Sequence, residues 1–495
     1  MLYSFLLKRK KVDVDILSID YYESVEVVCH QLLPYDLILF TLHVSNADQI
    51  YRISAELKKI KPQVTISCGG HLATDASDKI LADCGEMDCV MLGDGECVAY
   101  NMVLALEENR PMHEVESVVT RNFKGDKKIA TIDVTKMLWP ARDLLSLAKI
   151  KGNYSARLST SRGCCGNCSF CSVNSINHKA GKSWQGRDAL DIFAEIVAIY
   201  KQFNIRCFQI CDGSFEDPGI IGNKRIEELC NLLIAYPVSF SFRCFFRAET
   251  FSKEDHELIS LMRKAGFSIV YLGIESGCDA DLKVYHKRAT VHDNVNAIKI
   301  FQSSNITVLI GFIFFNPYSN EKSVKDNYHF LRENKCFRIL HYINKIEVYY
   351  CTEIHKKLKN DNLLTSEFDY LHPYSYKFNN EKISELNEFL DREIRQSPII
   401  ALDMKLYEFL HLYTELETIS PNINNEFDQE FSAIKDALSS ELEKYFSFYD
   451  DLDITRARHQ KDEFIARMLH IYQRFETMKF RYLKKSYIRE LLGIL

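Results

Sequence analysis

The sequence predicts an α/β protein in three parts: a parallel sheet with its helices over residues 1–145, a partial (β/α)6 barrel over 146–355 and a helical carboxy-terminal region over 356–495. Three observations lead there. Short apolar runs alternate with amphipathic stretches from Val12 to about Leu106, and the alternation resumes with longer units from Arg157 to about Tyr350. Beyond Tyr350 strand signals fade and helical periodicity is left. Strands that alternate with helices pair in parallel through right-handed crossovers.

In the first part the expected strands are Val14–Ile19, Leu37–Thr41, Val64–Cys68 and Cys89–Leu92, with helices at Tyr22–Leu32, Asp48–Ile60, Asp75–Asp83 and Cys97–Glu108. Ligands of such sheets lie at the carboxyl ends of the strands, here Thr41–Asn46, Gly69–Thr74 and Gly93–Glu96. His43, near that edge, reads as an ordinary loop histidine. Two short strands, Ser117–Arg121 and Ile129–Asp133, lead to Trp139-Pro140-Ala141-Arg142, where Pro140 breaks regular structure and sets a boundary near residue 145.

The barrel strands are expected at Arg157–Ser161, Cys207–Cys211, Ser239–Phe245, Ile269–Ile274, Thr307–Phe314 and Ile343–Tyr349, with helices between them such as Arg187–Gln202, Lys253–Ala265 and His292–Ser303. The tail carries amphipathic patterns at Lys382–Arg395, Ala401–Leu416, Glu426–Phe448 and Glu463–Leu492. The last is basic through Lys479, Arg481, Lys484, Lys485 and Arg489, and reads as a solvated face.

Composition narrows the function. An apolar share of 46% rules out a disordered or low-complexity chain, and a net charge of -6 supports no polyanion-binding surface, so no nucleic-acid partner is expected. The longest apolar stretches, such as Thr307–Phe315, fall short of the ~20 residues that span a bilayer, and no membrane partner is expected. Sixteen cysteines in a chain of 495 residues without a secretory pattern point to a reducing cytoplasm rather than a disulfide framework.

Four of those cysteines fall within eight residues. Arg162-Gly163-Cys164-Cys165-Gly166-Asn167-Cys168-Ser169-Phe170-Cys171 contains C-x-x-x-C-x-x-C directly after an apolar strand. Thiolates at these offsets on a loop can converge on one soft metal centre, and three ligands leave a coordination position open for substrate chemistry. The alternative is a structural zinc site with a fourth ligand such as His178.

Strand, Arg-Gly and then this cysteine spacing with Phe170 before the last Cys resembles the radical S-adenosylmethionine superfamily, over residues ~150 to 350. The resemblance implies that Cys164, Cys168 and Cys171 hold a [4Fe-4S] cluster that binds S-adenosylmethionine, with Phe170 by the adenine. Cys165 stands where relatives commonly carry Pro. By the same resemblance Asp212, Gly213 and Ser214 meet the amino group of S-adenosylmethionine, Glu275 its ribose or methionyl part, Arg288 its carboxylate and Gly311 its adenine side. Arg247 and Arg288 stand equally as barrel ion pairs, and Gly277 equally as a turn residue.

Asp36–Leu42, Cys68-Gly69-Gly70-His71-Leu72-Ala73-Thr74 and Leu92-Gly93-Asp94-Gly95-Glu96 resemble the cobalamin-binding domain that precedes the barrel in one subfamily. The resemblance implies cobalamin contacts at Thr41, Gly69, Gly70, Gly93, Gly95 and Glu96. Glycines at strand ends permit close backbone approach to a bulky ligand. The sequence lacks D-x-H-x-x-G, which argues against a histidine below cobalt, and Lys8–Ile19 aligns with the second strand of such domains, leaving the first without a counterpart. A purely structural flavodoxin-like domain is the other reading of this part.

What the resemblance implies is reductive cleavage of S-adenosylmethionine, with electrons from a reductant such as flavodoxin or ferredoxin, and hydrogen abstraction from a peptide or natural-product substrate. With cobalamin, C-methylation or a related change follows. Without it the outcome is epimerisation, dehydration or rearrangement, with Cys351, after the last expected strand, as hydrogen donor or as an inert cysteine. A non-catalytic metal-binding protein is the third reading.

Overall fold

The computed structural model describes residues 6, 13–19, 23–122, 128–146, 155–173, 181, 184–367, 369–419, 425 and 427–484. The chain forms two compact units, each discontinuous in sequence. The first comprises Met1–Asp143, Phe170–Gly186 and Glu347–Ser375; the second comprises Leu144–Ser169, Arg187–Ile346 and Tyr376–Leu495.

The first unit is built on a four-stranded sheet of β1 (Leu37–Thr41), β2 (Thr65–Gly69), β3 (Cys89–Met91) and β4 (Val118–Thr120), in that order. The first three strands are parallel and β4 is antiparallel to β3. Ile50, Ile53 and Leu57 recur at helical spacing on Ala47–Ile60 and are buried, which seats that helix in the core of this unit. Ser24 caps the helix Val25–Leu32 by accepting from Val27 N.

Two expected strands fail to form here. Val14–Ile19 joins no ladder: only its ends, Val14 and Ile19, pack against the core, while Ile16 and Leu17 remain 44% and 42% exposed. Ile129–Asp133 contributes only a bridge of Ala130 to Gly93, because the Asp94 side chain takes the next backbone donor, Ile132 N, at 2.7 Å.

In the second unit β5 (Ser155–Leu158), β6 (Cys207–Ile210), β7 (Ser241–Arg247), β8 (Phe267–Glu275) and β9 (Thr307–Phe312) form one parallel sheet in sequence order. One face, with Phe208, Phe242, Phe246 and Leu272, is buried with Ile192, Ile196 and Ile226 of the crossover helices. The sixth expected strand, Ile343–Tyr349, is a single bridge between Phe315 and Lys345. Both Phe314 N and Phe315 N donate to Asn344 O, so the groups that would carry a ladder converge on one carbonyl.

The tail helices are Glu381–Phe389, Ile399–Ile419, Asp428–Phe446 and Ile454–Lys484. The last begins nine residues before the expected Glu463, since Ala457 already belongs to the buried core. Lys485 and Arg489 lie outside the described residues. Rings cement the tail: Tyr445 and Phe464 stack at 3.9 Å. Helix Ile399–Ile419 crosses the other face of the barrel sheet, where His411 Nε2 meets Tyr271 Oη at 2.8 Å and Glu415 meets Arg243 at 3.5 Å.

Burial, with Arg338 nearby, lowers the His341 pKa to about 3, and burial with Arg243 lowers that of His411 to about 4. Below pH ~6.5 the unfolded chain takes up these protons and the folded chain does not. Each histidine therefore lowers stability as pH drops from ~6.5 towards 4, by about 1.4 kcal/mol per pH unit, while the raised carboxyl of Glu216 acts in the opposite direction over the upper part of that range. Urea unfolding of wild type and His411→Gln across that range isolates the histidine contribution, and the stability of the variant relative to wild type is expected to rise as pH falls.

Candidate active site

The cysteine loop leaves the carboxyl end of β5 and is pinned at three points. Asp212, at the end of β6 and buried, accepts from Thr160 N at 2.7 Å, from Ser161 Oγ at 2.7 Å and from Thr160 Oγ1. Burial raises the Asp212 pKa while these hydrogen bonds oppose the rise. Cys165 N donates to Asp217 Oδ2 at 2.7 Å. Ser169 donates twice, from N to Tyr285 O at 2.8 Å and from Oγ to Val284 O at 2.9 Å.

Between these anchors lie Cys164 and Cys168, both half-buried. A Cβ on Gly166 would sit 3.3 Å from Cys164 Sγ and 3.9 Å from Cys168 Sγ, so the two sulfurs flank one small concavity. Gly213 allows the β6 turn to approach, since a side chain there would come within 3.1 Å of Gly163 O. Ser214 beside it is buried. Burial pushes the Cys164 thiol up to about 12. Phe170 and Cys171, also half-buried, fall in the first compact unit.

Removing the Asp212 carboxylate leaves three donors without their acceptor. Asp212→Ala is expected to destabilise the second unit by about 3 kcal/mol, measured by urea unfolding, and to lower the iron retained after reconstitution.

A charged wall stands over the ends of β7 to β9. Arg247 pairs with Asp217, with Glu249 at 3.0 Å and with Glu216 at 3.5 Å, and its Cδ lies 3.3 Å from the Gly166 Cβ position. Burial, and then Asp217, push Glu216 up to about 7. Glu275 has φ 67° and its carboxylate lies over Gly311, 3.4 Å from that residue's Cβ position. The Cβ position of Gly273 lies 3.0 Å from Glu275 Oε1 and 3.1 Å from Lys287 Nζ, so the two charges face each other across this glycine.

Arg288 is exposed, whereas the Lys287 side chain is only 3% exposed. Burial works against the Lys287 charge, yet Glu275, Cys168 and Glu249 together hold its pKa above the ordinary range. Lys287 is the residue that sequence reasoning missed. Its signal lay in His286-Lys287-Arg288, where two adjacent cations follow a short helix and only one can turn inward.

The carboxyl edge of the first sheet holds the other expected positions. Thr41 is exposed, Gly70 has φ 108° and open space surrounds the Cβ position of Gly95. A side chain at Gly69 would meet Met91 and one at Gly93 would meet Ala130 O; Gly69 and Glu96 are buried and Gly93 is half-exposed. Cys351, with φ 64°, lies in the same unit, its Sγ 3.7 Å from Asp75 O.

Among the described residues no three His, Cys, Asp or Glu side chains already stand as a metal-binding group, and His178 lies outside them. What the loop supplies in the second unit is a soft donor set, the half-exposed thiols of Cys164 and Cys168 with the Lys287 ammonium and the Arg247 guanidinium near them, and this chemistry fits an iron–sulfur cluster better than a hard cation.

Residues 158–331 match the Radical SAM superfamily, which covers the cysteine loop and the strands β6 to β9. Over 301 residues the chain is 26% identical to the anaerobic magnesium-protoporphyrin IX monomethyl ester cyclase of Synechocystis, covering 59% of this chain and 58% of the cyclase. It is likewise 26% identical over 299 residues to the hopanoid C-3 methylase of Methylococcus capsulatus, covering 58% and 54%. The matches thus span just over half the length of these relatives. The fold is that of the cobalamin-dependent S-adenosylmethionine radical enzyme OxsB, with a TM-score of 0.74 at 15% identity, over 100% of this chain and 78% of OxsB. No helix among the described residues is long and apolar enough to cross a membrane.

Proposed function

We propose that this protein reductively cleaves S-adenosylmethionine at a [4Fe-4S] cluster held by Cys164, Cys168 and Cys171, and modifies a carbon of a peptide or natural product in a cobalamin-dependent reaction, C-methylation or a related change. The observation that carries it is the pinned C-x-x-x-C-x-x-C loop beside the Glu275 and Lys287 wall, inside the matched region. When bound, the cluster supplies the electron that breaks a carbon–sulfur bond of S-adenosylmethionine, and a cellular reductant such as flavodoxin or ferredoxin replaces it.

The chain's own residues bind and orient. Asp212, Asp217 and Tyr285 fix the loop; Glu275, Lys287 and Arg247 present fixed charges where a zwitterionic ligand needs both signs. Cobalamin fits the edge at the exposed Thr41, the left-handed Gly70 and the open Gly95, and the likeness to the fold of a cobalamin-dependent enzyme over the whole chain supports its presence.

The test is anaerobic reconstitution with iron and sulfide, followed by reductant and S-adenosylmethionine, with and without added hydroxocobalamin. 5′-Deoxyadenosine or S-adenosylhomocysteine is expected, together with a cobalamin absorbance that stays with the protein on gel filtration. Zinc retained in place of iron would overturn the reading. Turnover without retained cobalamin would overturn its cobalamin half.

A further inference from the structure

The barrel sheet has one face packed by crossover helices, and helix Ile399–Ile419 covers part of the other at Arg243 and Tyr271. On the other face side chains form rows set by the parallel register, with Arg157, Gln209 and Arg243 aligned across β5, β6 and β7, and Phe245 aligned with Tyr271 one row nearer the carboxyl ends. Two residues along a strand span about 7 Å. Phe245 therefore lies about 7 Å below the Arg243-to-Arg247 line's upper end, beneath the row of Arg247 and Gly273 that carries the charged wall.

Phe245 is a large ring left 38% exposed between the row of Arg243 and the row of Arg247. It stacks on Tyr271 with centroids 4.5 Å apart and 16° between planes, and Tyr271 is itself held by His411. The platform is thus flat, rigid and fixed in orientation. Arg157 is exposed on the same face, because its neighbours Ala156 and Leu158 are buried on the opposite one. It lies two strands from Phe245, roughly 10 Å across the sheet.

We propose that this inner face is the substrate subsite, and that its substrate is a small molecule with a flat unsaturated ring, seated on Phe245, and an anionic group directed to Arg157. The inference rests on the reading of the barrel as the catalytic unit. A flat ring is favoured because offset stacking requires a planar partner and is worth about 0.5–1.5 kcal/mol beyond the burial of area. An anion is favoured because a planar guanidinium matches a carboxylate or phosphate.

Binding is measured by calorimetry on the full chain, reconstituted with iron and sulfide and saturated with S-adenosylmethionine, without reductant. The probes are 2-naphthoate, decahydronaphthalene-2-carboxylate, which is of similar size and charge but saturated, and 2-naphthamide, which is flat but neutral. The naphthoate is expected to bind about tenfold more tightly than either analogue. Phe245→Leu should erase the preference over the saturated ring, Phe245→Tyr should keep it, and Arg157→Gln should erase the preference over the amide.

Equal binding of all three probes, no binding of any, or an unchanged order of affinities in both Phe245→Leu and Arg157→Gln overturns the proposal. Circular dichroism confirms that each variant is folded. Because no turnover is read, failure of the proposed function, seen as no cleavage of S-adenosylmethionine by the wild type, is distinguishable from failure of this subsite.

Discussion

Cys168→Ala is expected to reduce 5′-deoxyadenosine formation by more than about a hundredfold and to lower bound iron after reconstitution, while the protein stays folded. Cys168 is half-buried, and the loop around it is held by other residues, through Cys165 N to Asp217 and Ser169 to Tyr285 and Val284. Removing one sulfur therefore leaves every anchor in place. The same change at Cys165 is expected to leave iron content within about twofold of the wild type, because the contact that matters there is made by its backbone. Iron analysis and product chromatography on the two variants side by side separate a ligand from a neighbour. Equal iron in wild type and Cys168→Ala would remove this sulfur from the ligand set.

The sequence exposes the sheets well wherever apolar alternation coincides with burial. Leu37–Thr41 and Cys207–Ile210 form where expected, because their inward residues Ile38, Phe40, Phe208 and Ile210 are all buried. Alternation misleads where apolar residues stay exposed, as at Ile16 and Leu17, or where a side chain captures the backbone donor, as Asp94 does at Ile132. The cysteine loop is legible from spacing alone. Its supports are not, since Asp212 reaches back across 52 residues to Thr160, and no local pattern records that distance. Nor does any pattern reveal that helix Ile399–Ile419 sets His411 against Tyr271, 140 residues away. Lys287 was hidden for a conformational reason. His286 takes φ 53°, which reverses the chain after the helix Asp279–Val284 and turns Lys287 inward and Arg288 out.

Lys287→Met is expected to destabilise the second unit by about 1–3 kcal/mol. Glu275 is half-buried; burial raises its pKa and the Lys287 charge across Gly273 lowers it, while Lys287 itself makes its ion-pair contact with Glu249 at 3.9 Å. Methionine keeps the length and apolar volume of the lysine stem but leaves the carboxylate facing an uncharged group. Removing one of two facing charges costs more than removing both, because the survivor stays partly desolvated without its compensation. The double variant Lys287→Met with Glu275→Gln is therefore expected to regain most of the lost stability, and this non-additivity in urea unfolding is the measurement. It is not expected to regain affinity for S-adenosylmethionine, since both fixed charges that would face the ligand are gone. Recovery of stability without recovery of binding assigns the pair to the ligand as well as to the fold; additive losses of stability would show that Glu275 and Lys287 act separately.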